Sequence, residues 1–145
     1  MRTALLSLLA VPVVAASPIA REDGPVEARQ LVQSYYAAID RGDFRSAYLA
    51  WDDGGRASGK SLAQFRAGFA ATARSRVVMG TPVNGDAGMS QRWLDVPVDV
   101  YATLKNGRHQ HFRGRYTLHR VAAGVSANRA DERWHIKTAR LVVAP

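Results

Sequence analysis

The fold of this chain is decided by residues 94–118, which read LDVPVDVYATLKNGRHQHFRGRYTL. Apolar side chains occupy every second position up to residue 104, as they do in the half-buried strand of an antiparallel sheet. Asn106-Gly107 then marks a hairpin turn, and the alternation resumes after it. The stretch therefore predicts two paired strands. The alternating residues are Leu94, Val96, Val98, Val100, Ala102 and Leu104, and then Phe112, Gly114, Tyr116 and Leu118.

The pairing register of this hairpin follows from the same pattern. A two-residue turn would place Val100 beside Arg113 and would bury arginines in the apolar face. A three-residue loop, with Gly107 in the left-handed region, places Val100 opposite Phe112 and makes the centre of one face apolar. Because a one-residue slip moves every side chain to the other face, we predict the three-residue loop. That register also pairs Leu104 with Arg108, Val98 with Gly114, Val96 with Tyr116 and Leu94 with Leu118.

Three helices are predicted before these strands. The first begins at Pro25 and ends at Gly42, and Asp43 caps a second, shorter helix. Residues 52–55 form a loop, and Ser61 with Gln64 is a capping box that opens the third helix. Apolar residues recur at helical spacing in each. The predicted inner faces are Ala28, Leu31, Val32, Tyr35 and Ile39; Phe44, Ala47, Tyr48 and Trp51; and Leu62, Phe65, Phe69 and Ala73.

The remaining segments complete the sheet. We predict a strand over residues 76–83 with a turn at residues 84–86 (Asn-Gly-Asp), because Asn-Gly is a strong turn signal. Residues 122–132 form a polar loop, and a last strand begins at Trp134 and runs to about residue 143. The fold class is therefore α+β, with three N-terminal helices on one face of a curved antiparallel sheet.

The first 16 residues have the pattern of a cleavable signal peptide. Arg2 precedes an apolar run, and Val14-Ala15-Ala16 supplies small residues before Ser17. The alternative is an N-terminal helix or a membrane anchor, but the apolar stretch is shorter than the roughly 20 residues that a spanning helix needs. We predict an exported protein, periplasmic or secreted, with a flexible lead-in over residues 17–24 and one domain over residues 25–145.

Composition narrows the chemistry of the exported domain. The chain has no cysteine, which excludes disulfides, thiolate nucleophiles and lipoprotein anchoring, and no Asn-x-Ser/Thr site, which favours a bacterial envelope. Its formal charge of +8 comes from scattered arginines. For an exported protein this favours weak binding to anionic surfaces over a nucleic-acid partner. Neither a phosphate loop, a dinucleotide fingerprint nor a Ser-His-Asp arrangement is present, so we predict no cofactor.

Several short motifs resemble those of the nuclear transport factor 2-like superfamily, which includes ketosteroid isomerase, scytalone dehydratase and the polyketide cyclases. They are residues 35–44 (YYAAIDRGDF), 47–51 (AYLAW) and 114–118 (GRYTL), the last leading to 134–136 (WHI). The resemblance implies a cone fold with a pocket between sheet and helices, and frequent dimers. Because the apolar sheet face carries no acid between Leu94 and Leu104 that could match the isomerases' carboxylate base, no catalytic residue is carried over.

Two sets of residues are candidates for binding. Seven aromatic residues could line a pocket for a small apolar ligand, or could be the core of a small domain. On the opposite sheet face, His109, His111 and His119 lie beside arginines, which argues against a bound metal. That face fits contact with a second copy or an anionic partner. The pocket set is Tyr35, Tyr48, Trp51, Phe65, Phe69, Tyr116 and Trp134, and the contact set is Trp93, Tyr101, His111, Arg113 and Arg115.

We therefore predict non-catalytic binding of a small apolar ligand or a protein partner in the cell envelope. Two alternatives stay open: a pocket enzyme of the isomerase, dehydratase or cyclase kind, and an accessory module that dimerises. A histidine or buried carboxylate facing a cavity would favour the enzyme, and a tightly filled interior would favour the accessory module.

Overall fold

A computed structural model describes residues 24–145 of the chain. The predicted signal peptide, residues 1–16, and the lead-in up to residue 23 lie outside the described residues. Gly24 caps the start of the first helix, where its backbone N–H donates to Glu27 Oε2 at 2.7 Å. In the described part of the chain, no helix has the length and apolar character needed to cross a membrane.

Three α-helices precede the sheet, as predicted. They are α1 (Pro25–Asp40), α2 (Phe44–Leu49) and α3 (Leu62–Gly68). Asp43 caps α2 by accepting a hydrogen bond from the Ser46 backbone. The Ser61–Gln64 capping box of α3 has both of its reciprocal hydrogen bonds, at 2.9 and 3.2 Å. Short 3-10 segments also occur, at Asp53–Ser58 and Arg129–Glu132.

Five antiparallel strands follow. They are β1 (Thr72–Met79), β2 (Val83–Gly88), β3 (Gln91–Leu104), β4 (His109–Val121) and β5 (His135–Val143). The sheet order is β1-β3-β4-β5, and β2 pairs with the first part of β3. The chain after α2 joins this sheet through a parallel bridge between Trp51 and Ile136. The long β3–β4 hairpin is therefore the centre of the sheet.

The predicted register of the central hairpin is confirmed. Val100 pairs with Phe112, and each of the other predicted strand pairs is also present. The Leu104 N–H donates to the Arg108 carbonyl at 2.8 Å, and Gly107 has a φ of 86°. Even-numbered residues of β3 face the helices, and odd-numbered residues form the opposite, outer face of the sheet.

The prediction for the end of the third helix was wrong. Ala73 was expected on the inner face of α3, but the helix ends at Gly68 and Ala73 lies in β1, which starts four residues before the predicted strand start at Arg76. The alanine-rich sequence suits a helix locally. Pairing of Thr72 with Leu104 overrides that preference, since an edge of β3 would otherwise lack a partner.

The predicted turn at residues 84–86 was also wrong. These residues lie within β2, where the register against β3 shifts between Val83 and Asp86. Asn84 has a positive φ of 54°, so the Asn-Gly signal marks a bulge instead of a chain reversal. The chain reverses at Met89 and Ser90, which both have positive φ.

The core lies between the helices and the inner face of the sheet. Its fully buried members come from both layers, and the helices cover the central hairpin. The architecture is α+β, with helices packed on one face of a curved antiparallel sheet, as predicted. The largest side chains with almost no exposure are Leu118, Ile136, Val32 and Val96.

Candidate functional site

Aromatic side chains fill much of the space between the helices and the sheet. Tyr35 is at the centre of the cluster: its ring centroid lies 5.9 Å from that of Tyr116 and 6.4 Å from those of Trp51 and Phe65. The rings meet edge to face or tilted, the arrangement that aromatic pairs prefer. Tyr48 packs against Phe65 at 5.5 Å and donates to the Lys60 carbonyl. Four of the predicted pocket residues, Tyr48, Trp51, Phe65 and Tyr116, thus pack in this core.

A hydroxyl pair is buried within this cluster. Tyr36 and Tyr116 share a hydrogen bond of 2.5 Å between their Oη atoms. Burial raises the pKa of both phenols far above the usual value, and it raises the pKa of Tyr35 to about 12. All three phenols therefore stay neutral at physiological pH. Sequence analysis missed Tyr36, because adjacent helix positions do not ordinarily both face a core.

A groove of about 650 Å³ lies outside this core, between α1, α2 and the start of β5. Two of the predicted pocket residues, Tyr35 and Trp134, line it. Apolar side chains account for most of its surface, and polar groups stand around them. The apolar lining is Leu31, Tyr35, Ala38, Leu49, Ala50 and Trp134, and the polar lining is Glu27, Gln30, Ser34, Arg41, Ser46, Arg133 and His135.

Helix α1 has two apolar faces, and this explains the position of the groove. Ala28 and Val32 are fully buried on the first face. Leu31, Tyr35 and Ala38 recur at spacings of four and three residues and form the second face, which borders the groove. Ala28, Leu31, Val32 and Tyr35 were predicted to share one inner face. Dividing these residues between two faces of the helix would have predicted the groove.

His135 is the groove residue best suited to proton chemistry. Its Nδ1 lies 2.9 Å from the Arg133 carbonyl oxygen, which can only accept, so Nδ1 carries a proton. In the neutral ring Nε2 is then the acceptor. Glu27, the acidic residue of the groove, already accepts the Gly24 N–H. Sequence analysis did not single out His135, because its proximity to α1 depends on the fold.

Phe69, the last of the predicted pocket residues, lines a second groove of about 650 Å³. Its ring stacks on Phe44 with centroids 5.9 Å apart. Leu62 adds to this apolar surface, and Arg66 and Lys105 supply two positive charges at its border. The structure thus divides the seven predicted residues among the core and two grooves.

The predicted contact residues all lie on the outer face of the sheet, but Trp93 lies at the opposite end from Tyr101 and His111. Tyr101 stacks on His111 with centroids 4.4 Å apart. His111 Nε2 is 2.6 Å from Asp99 Oδ1, and Arg113 Nε donates to the same oxygen at 2.9 Å. These two partners hold the pKa of Asp99 below its usual value. Arg115 lies farther along, with its Nε 3.5 Å from an oxygen of the buried Asp95.

A second histidine network occupies the other end of the outer face. The His119 ring stands between Asp52 Oδ2, at 3.1 Å from Nδ1, and Gln91 Oε1, at 2.5 Å from Nε2. Trp93 packs against the same ring at 4.3 Å. Partial burial would raise the pKa of Asp52, but the Asp53 backbone, His119 and Lys137 outweigh it and lower the pKa. Since both ring nitrogens are engaged, this histidine serves as a cross-link.

Metal binding has no support in these networks. Within residues 24–145, no group of three or more His, Cys, Asp or Glu side chains is placed to hold a metal ion.

Comparison with known proteins identifies the fold. No protein-family description and no curated protein matches the chain. Three solved structures have the same fold. The Kfla4162 protein from Kribbella flavida has a TM-score of 0.55 and 15% identity, over 83% of this chain and 90% of that one. A candidate aromatic ring hydroxylase from Novosphingobium aromaticivorans has a TM-score of 0.53 and 16% identity, over 83% of this chain and 96% of that one.

Aln2 from a Streptomyces species has a TM-score of 0.50 and 14% identity, over 80% of this chain and 87% of its own. At these identities the likeness concerns the fold alone. Residues 24–145 form an α+β domain that fits the nuclear transport factor 2-like cone.

Proposed function

We propose that this protein is an exported binding protein that holds a small amphipathic ligand in the groove between α1, α2 and β5. The groove itself carries the proposal. Its volume of about 650 Å³ lies within the range typical of small-molecule sites, roughly 300–1,000 Å³. Export rests on the sequence of residues 1–16.

The lining of the groove favours a ligand with an apolar body and a polar end. Leu31, Leu49 and Trp134 offer apolar contact, and Leu49 is 46% exposed. Exposed apolar surface in a concave site gains most from being covered. At the border, Arg133 and His135 can orient a polar group, whereas Arg41 is already paired with Asp43 at 3.3 Å.

Displacement of an apolar fluorescent dye, 1-anilinonaphthalene-8-sulfonate, tests the proposal. The dye should bind the purified protein and be displaced by medium-chain alcohols and fatty acids. Leu49→Glu should weaken dye binding at least tenfold, because it places a charge in the apolar lining. Val125→Glu is the matched control, since Val125 is a 55% exposed apolar residue outside the groove. Equal loss in both variants, or no dye binding, would contradict a ligand site in this groove.

Export has its own test. Protein recovered from the native host should begin at or near Ser17 by mass spectrometry. Retention of Met1 or Arg2 would show that residues 1–16 are not removed.

An enzyme is the second candidate function, and His135 is the observation that favours it. A histidine whose Nδ1–H is held by a carbonyl can use Nε2 as a general base toward a bound ligand. Ketones that displace the dye should then exchange the hydrogen α to their carbonyl for deuterium in D2O, followed by NMR. His135→Asn should abolish that exchange while leaving dye binding in place. A failure to exchange in the wild type would favour the binding protein.

A further inference from the structure

Two arginines face each other across the central hairpin on its inner side. Arg92 of β3 pairs directly with Arg120 of β4, in line with the buried pair Leu94 and Leu118. Like charges on directly opposite strand positions repel. Within residues 24–145, neither arginine forms an ion pair with a carboxylate. The pair therefore places two positive charges together with no ion-paired carboxylate from the described residues to offset them.

The guanidinium of Arg120 is also removed from water. Arg120 is only 6% exposed, and its Nε has no hydrogen-bond partner among residues 24–145. Its Nη1 makes one long contact, 3.4 Å, to the Val121 carbonyl. Its Cζ lies 5.2 Å from the centroid of the Trp134 ring. A cation–π contact and one weak hydrogen bond recover only part of the cost of burying a charge.

An arginine cannot relieve that cost by losing its proton, because the guanidinium stays charged in proteins. Buried charges are ordinarily paired with an opposite charge. An acceptor that carries negative charge would satisfy the buried Nε–H of Arg120. A planar guanidinium matches carboxylate and phosphate oxygens with two parallel hydrogen bonds.

We infer that Arg120 and Arg92 form a binding site for an oxyanion, either a carboxylate or a phosphate group. Arg120 supplies the buried donors, including the free Nε. Arg92 is half-buried, and its Nη1 donates to the Gln91 carbonyl at 3.0 Å. It supplies the side of the oxyanion site that is open to solvent. Neither arginine lines the groove of the proposed function, so this site is separate from it.

Thermal unfolding of the purified full chain tests the site. Inorganic phosphate and acetate are titrated separately against sodium chloride at constant ionic strength. A ligand that binds only the folded state raises Tm, by about 4 °C at ten times its dissociation constant for a domain of this size. We expect a saturable rise with one of the two anions, and the more effective anion identifies the class of oxyanion. No rise with either anion would overturn the inference.

Variants assign the effect to these residues. Arg92→Gln and Arg120→Met should each remove most of the anion-dependent rise. Arg108→Gln is the control, because Arg108 is exposed at the hairpin turn and carries the same charge. A loss of similar size in Arg108→Gln would show general screening of positive charge and would overturn the site. So would an unchanged rise in Arg120→Met.

A spectroscopic measurement covers the case in which Arg120→Met does not fold. In the wild-type protein, the Nε–H resonance of Arg120 should shift on titration with the effective anion. The shift should saturate with the same dissociation constant as the rise in Tm. A resonance that does not move would overturn the inference without any variant.

Discussion

The Tyr36 and Tyr116 hydroxyl oxygens lie 2.5 Å apart in the interior, joining α1 to the central strand β4. Each hydroxyl is buried and is the hydrogen-bond partner of the other. The pair therefore links the helical layer to the sheet by a polar contact within an aromatic core. Its contribution should depend on keeping both partners, since a single buried hydroxyl without a partner is costly.

Removing both hydroxyls of this pair should cost less stability than the sum of the two single removals. Tyr36→Phe and Tyr116→Phe should each lower the free energy of unfolding by about 1–3 kcal/mol, because the remaining hydroxyl stays buried and unpaired. The double variant should lose less than the sum, with a coupling of about 1 kcal/mol or more. Urea unfolding of the four proteins measures this. Strict additivity would show that the two hydroxyls do not stabilise each other.

Stability should fall in alkaline solution because of the buried phenols. A tyrosine in the unfolded chain ionises near pH 10, whereas burial raises the pKa of Tyr35 to about 12. Between these values the unfolded state releases a proton that the folded state retains, so the free energy of unfolding decreases as pH rises. Below about pH 10 the folded and unfolded states both keep the phenol protonated, so the free energy of unfolding is not reduced by this effect.

Urea unfolding at pH 8, 9, 10 and 11 should show this decrease begin near pH 10. In Tyr35→Phe the free energy of unfolding should decrease less steeply with pH, because the variant lacks one of the three buried phenols. Identical slopes in the wild type and the variant would show that Tyr35 does not contribute.

Gly114 is required where β4 passes β5. A Cβ atom at this position would lie 1.8 Å from the Arg140 carbonyl oxygen, closer than any real contact. Gly114→Ala should therefore force the two backbones apart and destabilise the protein by about 3 kcal/mol or more. Gly88→Ala is the control, since Gly88 also lies in a strand and has open space around it. Its effect on urea unfolding should stay within about 0.5 kcal/mol.

The β2–β3 turn can be improved. Met89 and Ser90 have φ values of 46° and 67°, which side-chain-bearing residues rarely adopt. Asn-Gly is the preferred sequence for a two-residue turn with positive φ at both positions. Replacing Met89-Ser90 with Asn-Gly should stabilise the protein by about 1 kcal/mol. Met89 is 97% exposed, so Met89→Leu should change nothing, and a stabilisation of equal size there would contradict this explanation.

The outer sheet face should mediate self-association. Trp93, Tyr101 and Arg113 are residue types favoured at interfaces, and an exposed Asp–Arg contact contributes too little to stability to explain the cluster. Sedimentation at about pH 8 should show a dimer that Arg113→Glu dissociates, with Arg129→Glu as control. A wild-type monomer at pH 8 would contradict the prediction.

Features that depend on neighbouring residues could be predicted from the sequence. The capping box of Ser61 and Gln64 needs only four residues, and the register of the β3–β4 hairpin needs only an alternating pattern and Gly107. In both cases, the local geometry that satisfies the backbone hydrogen bonds also buries the apolar side chains, so one conformation is favoured. The α+β fold follows from the order of such elements.

Features that depend on distant segments of the chain could not be predicted from the sequence. Ala73 has a helical sequence context but lies in β1, because β3 offers unpaired backbone groups at its edge. The Asn84-Gly85 signal is equally compatible with a turn and a bulge, and only the pairing with β3 selects the bulge.

The division of the aromatic residues between the core and the two grooves likewise could not be predicted from the sequence. Their spacing shows that they face inward, but not whether they face one another or a groove.

The sequence by itself determined the central hairpin, the helix starts and the apolar inner face, since these depend on spacing along the chain. Only the tertiary structure decided that Tyr36 meets Tyr116, that His135 borders a groove beside α1, and that the Nε of Arg120 is buried with no hydrogen-bond partner among the described residues. Each of these depends on which distant side chains exclude water from a given atom. That exclusion is a property of the packed layers and has no counterpart in the local pattern of residues.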